Sequence, residues 1–197
     1  MKIVVATNNK KKLEEIRAIM QDERIELISL DRFPGIKDIP ETGTTFRENA
    51  VIKAKAVYNK TGFPSIADDS GIALDQLEGR PGVYSARYAG KDADDRKNNA
   101  KLQEELSAFP EPHTGRYICA AVFYDGVKLI AVEGKLEGRI IKRPQGDNGF
   151  GYDPYFMPIG YTITTAEMNP AEKNRISHRY HAFTSLKEKI FNEILKK

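Results

Sequence analysis

The stretch KIVVATNNKKKLEEIRAIM, residues 2–20, decides the fold class of this chain. It opens with Ile3–Ala6, an apolar and mostly β-branched run that is typical of a short buried strand. The strand passes at once into a helical pattern whose apolar face carries Leu13, Ile16, Ile19 and Met20. A buried strand that turns directly into an amphipathic helix predicts an α/β fold.

The segments that follow continue this alternation. Asp31–Gly43 is rich in Pro, Gly and Asp and is predicted to be a loop. Thr45-Phe46-Arg47-Glu48 fits a capping box, so we expect a second helix to begin there. Ser65–Ala67 then enters an apolar strand, which we expect to end at Asp68-Asp69-Ser70-Gly71.

The second half of the chain adds a hairpin between two helices. Asp92–Ala108 predicts a polar, solvated helix, and Ser177 is expected to cap the last one. Arg116–Asp125 and Val127–Glu137 are β-rich runs joined by an Asp-Gly turn, which is typical of a hairpin. This order of elements predicts an α/β class with a mixed sheet. We expect one domain over residues 1–197, made of two lobes with a cleft between them and no linker.

Composition and charge narrow the possible classes of protein. The 197 residues are 40% apolar and 30% charged, as in a soluble globular domain, and the net charge of +3 is too small to indicate a nucleic-acid binder. Cys119 is the only cysteine, which excludes a disulfide framework, and its apolar neighbours predict a buried, inert thiol. The first apolar run is shorter than the ~7–15 residues of a signal peptide, and no run reaches the ~18 of a membrane span. We therefore expect a cytoplasmic protein.

The first candidate site lies where the opening strand becomes a helix, in Thr7-Asn8-Asn9-Lys10-Lys11-Lys12. A helix N-terminus presents free backbone N–H groups and a positive dipole end, so it favours anions. Lysines placed there oppose the dipole unless an anion such as a polyphosphate is bound. A solvated lysine cluster is the alternative interpretation.

The second candidate site is Asp68-Asp69-Ser70-Gly71. Successive side chains of a strand point to opposite faces, so the two carboxylates are predicted to have different roles. One of the two carboxylates would hold Mg²⁺ or orient water. Glu41 and Glu48 are possible further carboxylate ligands, because oxygen ligands suit Mg²⁺ that arrives with phosphates. An acidic junction between a strand and a turn is the alternative.

Two further clusters combine aromatic residues, acids and donors. Gly149-Phe150-Gly151-Tyr152-Asp153-Pro154 places two aromatic rings that could stack on a base beside a carboxylate that could accept from ring N–H groups. Packing of these rings in the core is the alternative. Ser177-His178-Arg179, with Lys173 upstream, places donors at the start of the last helix. Motifs of P-loops, zinc proteases, Cys-x-x-Cys proteins and serine hydrolases do not occur in the sequence.

Taken together, these clusters resemble the inosine/xanthosine triphosphate pyrophosphatase family, also described as non-canonical purine NTP pyrophosphatases. Seven motifs run in the family's order over nearly the whole chain. They are Ala-Thr-x-Asn-x-x-Lys (6–12), Glu-Thr-Gly-x-Thr-Phe-x-Glu-Asn-Ala (41–50), Ala-Asp-Asp-Ser-Gly (67–71), Pro-Gly-Val-Tyr-Ser-Ala-Arg (81–87), Phe-Gly-Tyr-Asp-Pro (150–154), Glu-Lys-Asn (172–174) and Ser-His-Arg (177–179). Each motif alone is weakly specific, whereas seven in order are strongly so.

The resemblance implies an elongated α/β fold with the substrate cleft between its lobes, Mg²⁺ as cofactor, and a homodimer. It also implies hydrolysis of ITP, dITP and XTP to the monophosphate and pyrophosphate. Such hydrolysis would remove these nucleotides from the pool before they are incorporated into DNA or RNA.

The resemblance further implies a role for each matching residue. Asp69 would accept the proton of the attacking water, and Glu41 and Asp69 would hold Mg²⁺, with Asp68 in support. Ser70 would touch the substrate. The phosphates would be bound by Thr7, Asn8, Asn9, Lys10, Lys11, Lys12 and Lys53. The base and sugar would be enclosed by Phe150, Gly151, Tyr152, Asp153, Lys173, His178 and Arg179.

Two other functions remain open at this point. A related pyrophosphatase that acts on modified pyrimidine nucleotides could share the cleft and the carboxylate at the strand. A nucleotide- or RNA-binding protein without turnover could use the lysine cluster and stack bases on Phe150 and Tyr152. A nucleic-acid groove should be more basic than this chain, so we expect no nucleic-acid partner. We also expect no membrane partner, because no apolar run has the length of a membrane span.

Overall fold

The protein is built on a mixed sheet with helices. A computed structural model describes residues 1–36 and 39–196. The described strands are β1 (Lys2–Val5), β2 (Glu26–Ser29), β3 (Ser65–Leu74), β4 (His113–Tyr124), β5 (Leu129–Ile140) and β6 (Phe156–Pro158). The described helices are α1 (Lys10–Met20), α2 (Phe46–Thr61), α3 (Asp95–Leu106), α4 (Pro170–Ile176) and α5 (His178–Glu193). The predicted loop of residues 31–43 includes residues 37 and 38, which lie outside the described part.

The six strands form one sheet in the order β2-β1-β3-β4-β5-β6. Strand β1 pairs in parallel with both β2 and β3, whereas β5 and β6 are antiparallel. The hairpin predicted from the Asp-Gly turn is present between β4 and β5, with Gly126 at a φ of 96°. The α/β class with a mixed sheet is therefore confirmed.

The chain divides into two compact units. The first unit comprises residues 1–69, 119–134 and 178–196, and the second comprises residues 70–118 and 135–177. The chain passes from one unit to the other within β3, between Asp69 and Ser70. The cleft, the elongated outline and the single-domain organisation stay predictions.

The core of the first unit is built from the faces that the sequence pattern indicated. Ile3, Val5 and Ile66 of the sheet are buried in one cluster with Ile16 and Met20 of α1. The cluster also contains Phe183, Leu186 and Ile190 of α5, and Cys119 of β4. Each fully buried aliphatic or aromatic side chain contributes about 1.5–3 kcal/mol, so this cluster holds α1 and α5 on the sheet.

The second unit has its own apolar core. Ile72 and Leu74 of β3 pack there with Leu102 and Leu106 of α3. Phe156 and Tyr152 are buried in the same cluster. The polar helix predicted over 92–108 is therefore present as α3, with one apolar face on this core.

Strand β3 is longer than predicted. It was expected to end at Asp68-Asp69-Ser70-Gly71, but it continues to Leu74. The carboxylates do not stop the strand because each has cationic or amide partners, and Ile72–Leu74 supplies further apolar residues for the second core. Gly71 allows a close approach, since a Cβ atom there would meet the hydroxyl of Ser85 and lie 2.7 Å from the carbonyl oxygen of Gly82.

None of the described helices combines the length and the apolar character needed to cross a membrane. The longest, α2 and α5, have 16 residues each. The predicted cytoplasmic location stays a prediction.

The close approach at Gly71 yields a stability prediction. Gly71→Ala should lower the free energy of unfolding by about 1–3 kcal/mol, because the methyl group forces the Ser85 segment away from β3. Gly35→Ala is the matched control, since a Cβ atom there has nothing within 4 Å. Urea unfolding followed by circular dichroism measures both, and equal stabilities of the two variants would contradict the prediction.

Candidate active site

The adjacent carboxylates of β3 have different partners, as strand alternation predicted. Asp68 and Asp69 are 2% and 7% exposed, so both carboxylates are buried. Lys12 donates to Asp68 at 3.0 Å, whereas Lys53 donates to Asp69 at 3.2 Å. Because the strand separates the two side chains, each carboxylate belongs to its own cluster of the first unit.

The Asp68 cluster joins the first turns of α1 and α5. Oδ2 of Asp68 accepts from Nζ of Lys12 and lies 3.5 Å from Nη2 of Arg179. The guanidinium of Arg179 also donates to Glu15 at 2.5 Å. Burial alone would raise the pKa of Asp68, but the surrounding cations, Lys12 first and then Arg179, hold it well below its usual range. The ionised form of Asp68 is therefore stabilised within this cluster.

Cys119 lies directly beside this cluster, with its Sγ 3.9 Å from Oδ2 of Asp68. Burial, and then the charge of Asp68, raise the pKa of the thiol well above its usual range. A thiol that remains protonated is a poor nucleophile and a poor metal ligand. The prediction of a buried, inert cysteine agrees with this environment.

The Asp69 cluster is built on one face of α2. Asn49 and Lys53 are four residues apart, so both reach Asp69 from the same side of the helix. Nδ2 of Asn49 donates to Oδ2 of Asp69 at 3.1 Å, while Nζ of Lys53 donates to Oδ1. Burial raises the pKa of Asp69, Lys53 opposes that rise, and Glu41 adds to it. A fixed carboxylate with a raised pKa is suited to accept a proton.

The predicted metal ligands, Glu41 and Asp69, converge on one cationic group. Nζ of Lys53 lies 2.7 Å from Oε1 of Glu41 and 3.2 Å from Oδ1 of Asp69. In the described part of the chain, no group of three or more His, Cys, Asp or Glu side chains could hold a metal ion. Two carboxylates fit Mg²⁺, which takes its other ligands from water and substrate phosphates. That these residues bind Mg²⁺ stays a prediction.

Glu48, the other possible carboxylate, is used by the helix cap. Its Oε2 accepts from the backbone N–H of Thr44 and of Thr45, and its own N–H donates to the Thr45 hydroxyl. These hydrogen bonds, that of the Thr44 N–H first, lower the pKa of Glu48. The capping box is confirmed, and the structure gives Glu48 a structural role at the start of α2.

The residues Thr7–Lys12 lie together at the junction of β1 and α1, as predicted. Asn9 is the N-cap and accepts from the N–H of Lys12, and Thr7 accepts from the N–H of Asn9. The first turn contains three lysines and no acidic residue. Lys12 is directed to Asp68, whereas Lys10 and Lys11 are exposed. This arrangement favours an anion at the helix start, and the triphosphate as that anion stays a prediction.

In the second unit, Asp153 organises the Phe150 loop, which we define as Gly149–Asp153. Oδ2 of Asp153 accepts from the N–H of Phe150 at 2.9 Å and from Nζ of Lys173 at 2.5 Å. Oδ1 of Asp153 lies 3.3 Å from the Tyr117 hydroxyl and accepts from Thr165 at 3.0 Å. Nζ of Lys173 is 5.4 Å from the centroid of the Phe150 ring, a cation–π distance. The structure thus brings Phe150, Asp153 and Lys173 together.

The two aromatic residues of the Phe150 loop have different environments. Tyr152 is buried in the core of the second unit, and its hydroxyl donates to the carbonyl of Ser85 at 2.8 Å. Phe150 is only half-buried and faces Lys173. Core packing therefore accounts for Tyr152, whereas Phe150 is partly exposed. Contacts of either residue with a base stay predictions.

The remaining predicted residues are divided between the units. His178 and Arg179 begin α5 in the first unit, while Ser70 and Lys173 belong to the second. Arg179 is only 2% exposed, and its guanidinium is engaged by Glu15 and Asp68. The guanidinium that is predicted to contact the base is therefore enclosed by protein in this structure, and its contact with a base stays a prediction.

Sequence reasoning missed several residues that position the site. Asn49 lies within one of the quoted motifs and four residues before Lys53, so helical spacing could have found it. Glu15, which accepts from Arg179, could have been found in the same way, because it lies three residues after Lys12 in α1. Tyr117 and Thr165 reach Asp153 only through long-range folding, and no local pattern indicates them.

Comparison with known proteins decides the family. The model of the Ham1 family matches residues 3–189. The chain belongs to the Ham1 family. It is 46% identical over 190 residues to the dITP/XTP pyrophosphatase of Streptomyces avermitilis, covering 94% of each chain. It is 48% identical to that of Geobacillus kaustophilus over 188 residues, covering 94% of this chain and 92% of the relative.

Solved structures agree with this assignment. A HAM1 protein from Coxiella burnetii matches with a TM-score of 0.91 and 39% identity, over 98% of this chain and 99% of the other. A nucleoside-triphosphatase / dITP/XTP pyrophosphatase from Mycobacterium abscessus matches with a TM-score of 0.79 and 42% identity, over 94% and 98%. The predicted family and enzyme class, a nucleoside-triphosphate pyrophosphatase, are therefore confirmed for this member of the Ham1 family.

Proposed function

We propose that this Ham1 protein hydrolyses the non-canonical purine nucleotides ITP, dITP and XTP to the monophosphate and pyrophosphate. The observation that carries the proposal is the setting of Asp69. Its carboxylate is buried, is held on one oxygen by Asn49 and on the other by Lys53, and has a raised pKa. The relatives from S. avermitilis and G. kaustophilus are named for dITP and XTP, which supports the choice of substrate.

In the proposed reaction, Asp69 accepts a proton from the attacking water. The water oxygen forms a bond to the α-phosphorus, and the bond from that phosphorus to the bridging oxygen of pyrophosphate breaks. Asn49 and Lys53 hold the carboxylate in one orientation, so it needs no rearrangement when the proton arrives.

Charge neutralisation is the second requirement, because the triphosphate is highly anionic and pyrophosphate leaves with added charge. Lys10, Lys11 and Lys12 and the N-terminus of α1 supply positive charge in the first unit. Asp68 keeps Lys12 and Arg179 in place by ion pairing with both. Asp68 is therefore a supporting residue in this proposal.

Magnesium is the proposed cofactor, held by Glu41 and Asp69. When bound, Mg²⁺ would neutralise phosphate oxygens as a Lewis acid. The support for this proposal is the pair of carboxylates that already converge on the Lys53 ammonium.

Recognition of the base is proposed to use the Phe150 loop and Lys173, together with His178 and Arg179. Hypoxanthine and xanthine present an acceptor at O6 and a donor at N1, whereas adenine presents the opposite pair. A site that donates to O6 would meet the amino group of adenine with a second donor, and an unsatisfied buried group costs about 1–3 kcal/mol. Guanine shares O6 and N1–H with hypoxanthine, so its 2-amino group must cause its exclusion.

The biological role and assembly are proposed on the resemblance. Hydrolysis of these nucleotides would remove them from the cytoplasmic pool before polymerases use them. A homodimer is proposed as the assembly, and light scattering coupled to size-exclusion chromatography tests it directly.

The activity is tested by measuring products from ITP, dITP, XTP, GTP, ATP and a methylated UTP. We expect monophosphate and pyrophosphate from the first three, with ATP slower by about two orders of magnitude or more. Orthophosphate with the nucleoside diphosphate as first products would overturn the proposed cut. Faster hydrolysis of the methylated UTP would support the pyrimidine alternative, and tight binding without turnover would support a binding protein.

The two carboxylates should differ when each is replaced by its amide. Asp69→Asn should lower kcat for ITP by about 10²–10⁴, the usual effect of removing a general base, while the nucleotide still binds. Asp68→Asn should reduce kcat less, because Asp68 only holds cations in place. Steady-state kinetics with ITP compare the variants, and a dispensable Asp69 beside an essential Asp68 would reverse the assignment.

The raised pKa of Asp69 predicts how kcat/KM depends on pH. Activity requires the ionised carboxylate, so kcat/KM should fall as the pH drops through a value above the ~3.9 of an ordinary Asp. Lys53→Met removes the cation that lowers this pKa, so the acid limb should move to higher pH. Lys60→Met, at an exposed position of the same helix, is the control and should leave the limb in place. If the acid limb of Lys53→Met stays in place or moves to lower pH, the assignment of Asp69 as the proton acceptor is refuted.

A further inference from the structure

One residue of the Phe150 loop is held on both sides by a helix of the second unit. The backbone N–H of Gly151 donates to Oδ2 of Asp95 at 2.7 Å, and its carbonyl accepts from Nδ2 of Asn99 at 2.8 Å. Asp95 and Asn99 are four residues apart in α3, so they lie on the same face of that helix. Helix α3 therefore binds both polar backbone groups of Gly151.

The side-chain amide of Asn99 is held by the hydrogen bonds that its nitrogen donates. It is 7% exposed, and Nδ2 donates both to the carbonyl of Gly151 and to that of Asp95, each at 2.8 Å. Its Oδ1 is buried and finds no hydrogen-bond partner among residues 1–36 and 39–196. A flipped amide would place that oxygen against two carbonyl oxygens. A leucine would fill similar space without an unsatisfied oxygen, so the amide serves the contact with the loop.

The conformation that α3 holds at Gly151 is one that side chains disfavour. Gly151 has a φ of 65°, although a Cβ atom there would have nothing within 4 Å. The glycine is therefore required for backbone conformation and not for space. On either side of it, the N–H of Phe150 donates to Oδ2 of Asp153, and the N–H of Asp153 donates to the carbonyl of Phe150. These bonds fix the turn that presents the Phe150 ring to Lys173.

We propose that Asp95 and Asn99 are positioning residues for the substrate base. By holding Gly151, they keep the Phe150 loop in the conformation that brings Phe150, Asp153 and Lys173 together. This inference rests on the proposed function, because it takes that loop as the segment that binds the base. Asp95 and Asn99 act through Gly151 and do not themselves contact the nucleotide.

Hydrogen exchange of the full-length protein without nucleotide tests the positioning. Asn99→Asp keeps the shape of the side chain and removes both donors, so amides of residues 149–153 should exchange roughly tenfold faster or more. Asn98→Asp is the matched control. It adds the same charge at the neighbouring buried position, where the side chain bonds to Ala86 and Ala89 and not to the loop. Its effect should be confined to residues 86–90.

Kinetics with ITP test the consequence for the substrate. Asn99→Asp should raise KM roughly tenfold and change kcat by less than about twofold, because the proposed chemistry at Asp69 is untouched. Asp95 lies at an exposed position, so its variants give a second test that does not depend on the folding of Asn99→Asp. Asp95→Ala should raise KM. Asp95→Asn should have the KM of the wild type, since the asparagine keeps an oxygen that accepts from the N–H of Gly151.

Four results separate this proposal from the proposed function. Unchanged exchange at residues 149–153 in Asn99→Asp would overturn the positioning role. Faster exchange with an unchanged KM, or an equal fall of kcat in Asp95→Ala and Asp95→Asn, would overturn the link to the substrate. Failure of the wild-type protein to hydrolyse any purine triphosphate would overturn the proposed function, and that result is obtained without any variant.

Discussion

The burial of two adjacent carboxylates within β3 is the constraint on which the first unit depends. An ionised carboxylate taken out of water is strongly unfavourable unless charges and hydrogen bonds replace its hydration. Asp68 and Asp69 obtain these partners from three helices, with Lys12 from α1, Lys53 from α2 and Arg179 from α5. The apolar cluster holds α1 and α5 on the sheet, and the ion pairs of Lys12 and Arg179 join the first turns of these two helices to Asp68 of β3.

The unequal partners of the two carboxylates produce a division of labour. Asp68 is surrounded by cations that stabilise its charge, so its pKa is low and it is a poor proton acceptor near neutral pH. Asp69 shares Lys53 with Glu41, and the balance of burial and charge leaves its pKa raised. Two identical side chains in sequence thus acquire opposite properties, because the alternation of a strand sends them into different surroundings.

Local patterns predicted much of this arrangement. The periodicity of residues 2–20 predicted β1 and α1, and the Thr45–Glu48 pattern predicted the start of α2. These features follow from capping and from burial of one face, which act over a few residues. The motif containing Asp68 and Asp69 was likewise visible, and its split between two faces followed from strand geometry.

The errors arose where a long-range contact decides the outcome. Strand β3 was predicted to stop at its carboxylates, because two acids beside Ser-Gly are typical of a turn. It continues because Lys12 and Lys53, distant in sequence, neutralise the acids, and because Ser85 packs against Gly71. No window of sequence around residue 70 contains that information.

The second unit shows the same principle in a segment whose own residues suggest flexibility. Glycines at 149 and 151 indicate a loose loop, yet Gly151 is bonded through its N–H and its carbonyl to Asp95 and Asn99. Glycine supplies a conformation that other residues disfavour, and α3 supplies the bonds that select it from the many that glycine allows. A loop that is held by such bonds before a ligand arrives would lose less conformational entropy when the ligand binds. Part of what holds the Phe150 loop therefore lies in a helix about fifty residues away, which a search for functional motifs would treat as a solvated surface.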